Sequence, residues 1–129
     1  MTKLESLDLK EWEKKVPLGI CRAFSKLEGS TSSDALKGIE RYDLEPMTSL
    51  SRTREIARKY SKRHKVPIKL DEEKFDNHPY SDGFHSYRGG KSYIYLHPIL
   101  QYYPESYIKG VIEHELDHRK VELKWESTL

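Results

Sequence analysis

Val111-Ile112-Glu113-His114-Glu115-Leu116-Asp117-His118 carries two signals at once. At 3.6 residues per turn, Ile108, Val111, Ile112 and Leu116 fall in one apolar stripe, which predicts an amphipathic helix. On an adjoining face His114 and His118 stand four residues apart, about 6 Å along the axis. That spacing, H-E-x-x-H, lets two imidazoles hold one zinc ion. Glu115 between them is then a candidate to deprotonate a metal-bound water.

The segments before this helix show clear periods. Pro104 fits the first turn of a helix running from Glu105 to about Lys124. Ser92 to His97 alternates, with Tyr93, Tyr95 and His97 on one face and Ile94 and Leu96 on the other, and Pro98 ends it. With Phe84 to Arg88 and the intervening Gly89-Gly90 it forms the strongest hairpin signal in the chain. Asp76-Asn77-His78-Pro79 is turn-rich, and Val66 to Leu70 reads as a short strand, with Pro67 placing its start or an edge. Ser49 or Ser51 caps a helix reaching about Arg63, with Thr53, Ile56, Ala57 and Tyr60 on one face. The order helix, strand, hairpin, histidine-bearing helix predicts an α+β domain with a small, mainly antiparallel sheet packed on helices.

Residues 1–50 show no clean long period. Leu4, Leu7, Leu9 and Trp12 suggest a short helix ending before Pro17, and Val16 to Leu27 a second short element. Gly29 to Asp34 reads as a loop, with Ser33 or Asp34 capping a helix that starts at Ala35. This half is expected to be an arm or pro-segment laid on a domain spanning 51–129.

With 129 residues, 36% hydrophobic and 34% charged, the chain is expected to fold as one soluble domain. No stretch reaches the ~20 apolar residues of a membrane span. The N-terminal residues lack the apolar core of a secretory signal. The single cysteine, Cys21, excludes an intramolecular disulfide framework and suits a reducing compartment, so a cytoplasmic location is expected. A net charge of +2 points to neither nucleic acid nor membrane. The local exception is Arg52, Arg54, Arg58, Lys59, Lys62, Arg63 and Lys65, read as the solvated face of a helix, with a weak nucleic-acid contact as the alternative. Nine tyrosines against three phenylalanines, concentrated between Tyr80 and Tyr107, suit a wet rim around a cleft.

Zinc in a catalytic site binds imidazole nitrogen at about 2.0–2.1 Å and keeps one position for water, whose pKa it lowers to roughly 7. His114 and His118 are the expected zinc ligands. Glu115 is the expected general base and acid, taking a proton as the water attacks a peptide carbonyl and delivering it to the leaving amine.

Ser92 to Pro98, then Pro104, then Val111 to His118 resembles the zincin metallopeptidase pattern. It is most similar to the small single-domain forms, minigluzincins and SprT-like groups, in which a strand ending in proline precedes V-I-x-H-E-L-x-H. The resemblance covers about residues 50–125. It implies a peptide or protein substrate lying extended along an edge of the sheet, with the Phe84–His97 hairpin bordering the cleft. Zincins also use a third protein ligand downstream, and here the sequence departs from the pattern. Eleven residues follow His118, none of them histidine, and the metzincin position holds Lys124. Glu122, Glu126, His97, His85 and His78 are the candidates for that ligand. Cys21 reads as a small buried residue or as a thiolate capping the zinc. The alternative to a peptidase is a zincin-like binding or regulatory module without hydrolysis. A di-iron bundle, which needs a second E-x-x-H and four long helices, is excluded.

Overall fold

The structure is a computed structural model that describes Ile20, Ala23 and residues 29–128, with side chains through Val121. The short helix expected before Pro17, both readings of Cys21 and all of the element expected over Val16–Leu27 except Ile20 and Ala23 lie outside the described residues. Helix α1 spans Ser32–Glu40 and α2 spans Leu50–His64. Strands β1 (Ile68–Leu70), β2 (Gly83–Arg88) and β3 (Lys91–Leu96) follow, and α3 runs over Glu105–Thr128. Short 3-10 helices fill Glu72–Asn77 and Pro98–Tyr102.

The strands form one sheet in the order β1-β3-β2. Gly89 and Gly90 both take positive φ, as the tight turn between β2 and β3 demands. That antiparallel ladder pairs Gly83 with Leu96 and Arg88 with Lys91. β1 instead runs parallel to β3, pairing Ile68 with Ile94 and Leu70 with Leu96. The sheet is therefore mixed. A parallel neighbour needs a crossover, and here the chain from Leu70 through the 3-10 helix Glu72–Asn77 and β2 supplies it. Strand period alone does not reveal which edge a short strand joins.

Alternation along β3 puts Ile94 and Leu96 wholly inside and leaves Tyr93 and Tyr95 half-buried on the opposite face. Tyr95 and Phe84 face Phe75 and His78 there, in a layer of stacked and edge-on aromatic rings. The inner face packs on α3 at Gly83. A β-carbon on Gly83 would sit 2.7 Å from Val111 Cγ1, so only glycine lets the strand approach the helix this closely.

The stripe predicted on α3 is buried: Ile108, Val111, Ile112 and Leu116 are each 5% exposed or less. On α2 Ser49 is the cap, its hydroxyl accepting from the Arg52 N–H, and Thr53, Ile56 and Ala57 turn inward. Arg54, Arg58, Lys59, Lys62, Arg63 and Lys65 are exposed, as the solvated-face reading expects. α1 begins at Ser32, three residues before the expected start, with Thr31 as cap accepting from the Asp34 N–H at 3.2 Å. Ser32 and Ser33 are drawn into long-range hydrogen bonds, to the Ser81 carbonyl and the His97 ring, which leaves the cap to Thr31. Ala35, Leu36 and Ile39 of α1, with Ile20 and Ala23, belong to the same apolar core as α2, the sheet and α3. Thr48 ties the α1–α2 connection to this core through bonds to the Gln101 and Tyr103 carbonyls.

Candidate metal centre

His114, Glu115 and His118 come together at the middle of α3. The two imidazoles are exposed, their ring centres 4.3 Å apart and their planes inclined by 60°. Glu115 is 3% exposed, and its Oε2 lies 3.5 Å from Nδ1 of His118. One donor atom from each of the three residues falls within 4.8 Å of the others, the single such metal-competent group among the described residues. Bonds of 2.0–2.1 Å in a tetrahedral site set ligand atoms about 3.4 Å apart. The Glu115–His118 separation already meets that, and the exposed rings reach the rest by rotation about χ1 and χ2. Two imidazoles and a carboxylate form a donor set suited to zinc and to other divalent transition metals.

The carboxylate lies deeper than the sequence suggested. As a general base Glu115 has to reach a water on the open side of the metal. It stands seven residues after Ile108, four after Val111 and three after Ile112, which places it on the buried stripe itself. Its carboxylate thus lies beneath the two histidines, with the rings outside. A buried carboxylate is stable only against donors or positive charge. The His118 ring lies beside it, and a cation held by both histidines would compensate its charge.

The candidates for a further ligand are dispersed. His78 stacks on Phe84, ring centres 4.1 Å apart, on the sheet face opposite α3. His85 pairs across the ladder with Ile94 and therefore lies on the α3-facing side with Gly83, outside the metal-competent group. Glu122 and Glu126 sit on the helical backbone of α3, but their side chains are outside the described residues.

His97, expected on one strand face with Tyr93 and Tyr95 and as a candidate third ligand, is wholly buried. Its Nδ1 accepts the Ile99 N–H at 3.0 Å and so caps the 3-10 helix Pro98–Tyr102. With Nδ1 an acceptor, the ring proton resides on Nε2, which donates to Ser33 Oγ at 3.0 Å. Both nitrogens are committed, and neither can bind a metal without breaking a bond. Burial lowers the pKa of this ring to about 4, against a smaller opposing pull from Asp82.

Serine, histidine and aspartate thus meet at one corner, unnoticed in the sequence, yet the tautomer denies them triad chemistry. A serine nucleophile needs a lone pair on Nε2, and here Nε2 carries the proton. The corner is structural. The His97 N–H donates to the Asp82 carbonyl at 2.9 Å, and Tyr107, buried at the start of α3, donates its hydroxyl to the Asp82 carboxylate. Burial, reinforced by Asp82, holds the Tyr107 hydroxyl far above its usual pKa, so it remains a donor. The sequence signal for this corner was His97 followed by Pro98, a capping residue ahead of proline at the first helical position.

Comparison with protein-family models, with curated proteins and with solved structures finds no match for this chain. Among the described residues no helix is long and apolar enough to cross a membrane.

Proposed function

We propose that this chain is a zinc-dependent metallopeptidase of zincin type, with His114 and His118 as zinc ligands and Glu115 as general base and acid. The observation that carries the reading is the convergence of those three side chains on one helix. Zinc, when bound, supplies a water of near-neutral pKa and a positive charge opposite the developing oxyanion. Glu115 Oε2 takes a proton as water attacks the scissile carbonyl, then returns it to the leaving nitrogen. An extended peptide substrate would lie along the edge strand β2, the sheet edge next to α3.

Glu115→Gln tests the catalytic role. The variant should retain zinc and lose hydrolysis of a quenched fluorescent peptide mixture by at least a hundredfold, the usual scale for a general base. Equal hydrolysis by both proteins would remove Glu115 from the mechanism. The burial of Glu115 favours one second reading, a metal-binding module without hydrolysis in which the carboxylate holds the metal site together. In that case Glu115→Gln weakens zinc binding itself, and no wild-type turnover is detected.

A further inference from the structure

The opposite edge of the sheet, at β1, offers a second surface. β1 is an edge strand, paired through one side to β3. The Pro67 carbonyl bonds to the Ile94 N–H, and the Asp71 N–H to the Leu96 carbonyl. Backbone groups of alternate residues point the same way along a strand, so those of Lys69 also face β3, and those of Ile68 and Leu70 face outward. Outside them lie two adjoining hollows of about 370 Å³ and 420 Å³ between β1 and α2, sharing Ser61, Ile68 and Lys69. Arg54, Arg58 and Ser61 form one stripe of α2 along the first, and Lys65 closes the second. The floor is apolar, with Ala57 2% and Ile68 8% exposed.

Charge selects the occupant. Arg52 and Lys59 are bridged to Glu55, and Arg52 also to Glu105. Arg54, Arg58, Lys65 and Lys69 have no ion pair among the described residues, and all four are exposed. They stand along a row of outward N–H and C=O groups. A chain that satisfied the backbone row would bring alternate side chains against these cations. Single-stranded nucleic acid would need stacking rings, and no aromatic side chain lines either hollow.

We propose that the groove between α2 and the outer edge of β1 binds an extended acidic segment of a partner protein, added to the sheet as a strand beside β1. The groove shares no residue with the metal centre on α3. A fluorescein-labelled peptide of about ten residues alternating Glu and Val tests it by anisotropy with the full chain. Wild type and Glu115→Gln should bind it alike. The exposed charge reversal Arg54→Glu/Arg58→Glu, its fold checked by circular dichroism, should weaken binding about tenfold or more. Lys69→Glu should act in the same direction. The same peptide N-methylated at alternate amides should lose binding, because strand addition needs those donors. Three results would overturn the proposal: no saturable binding up to ~1 mM, equal binding of the methylated peptide, or tighter binding of oligothymidylate of about ten nucleotides.

Discussion

His97 and the pair His114/His118 put the same side chain in two opposite settings. His97 is sealed at the end of β3, with one nitrogen taken by a backbone N–H, the other by a serine, and the Phe75 ring edge-on to its own with centres 5.1 Å apart. His114 and His118 stand on the outer surface of α3 beside a buried carboxylate. Seventeen residues of sequence separate His97 from His114, yet the first serves the fold and the second is available to a ligand. What a histidine can do is decided by the partners its two nitrogens already have.

The comparison breaks most visibly under truncation. His97→Ala should cost about 3–5 kcal/mol in urea unfolding, through a cavity and an unmet buried N–H at Ile99. Its zinc stoichiometry, where the protein remains folded, should match wild type. Wild-type stability in His97→Ala would mean that the corner is not a keystone of this fold.

Acid gives the next largest effect. The His97 ring has a folded pKa of about 4 against an ordinary 6.5, so the unfolded chain takes up the proton first as pH falls. Its contribution is complete above about pH 6.5 and is lost progressively down to about pH 4, by up to roughly 3 kcal/mol. Urea midpoints across that range should fall in wild type and fall less in His97→Asn. Parallel curves would place the titrating group elsewhere.

Gly83→Ala probes the contact that presses the sheet on α3. With Val111 Cγ1 2.7 Å from the added methyl, it should cost about 1–3 kcal/mol. An unchanged melting temperature would show that strand and helix part easily. The smallest effect is expected at the metal centre itself. Without metal, His114→Ala should shift stability by no more than about 0.5 kcal/mol, because the ring is exposed.

The elements that position the centre were legible where apolar period and punctuation agreed. The α3 stripe, the Gly89-Gly90 hairpin, the Ser49 cap and the Pro67 strand start all rest on local rules, and the structure has each of them. The parallel docking of β1 and the burial of His97 depend on residues far apart in sequence. Ser33 lies sixty-four residues from its histidine partner, a distance no periodicity bridges. Glu115 was within reach, since its spacing from Ile108, Val111 and Ile112 already put it on the buried stripe.

Zinc content bears most directly on the centre. Wild type, His114→Ala and His118→Ala, purified in parallel and supplied with zinc, would be measured by elemental mass spectrometry and compared for thermal stability. About one zinc per chain in wild type, its loss in both variants, and a rise in wild-type melting temperature on adding metal are the expected results. Wild type without zinc after supplementation, or variants that hold as much as wild type, would contradict a metal centre on α3.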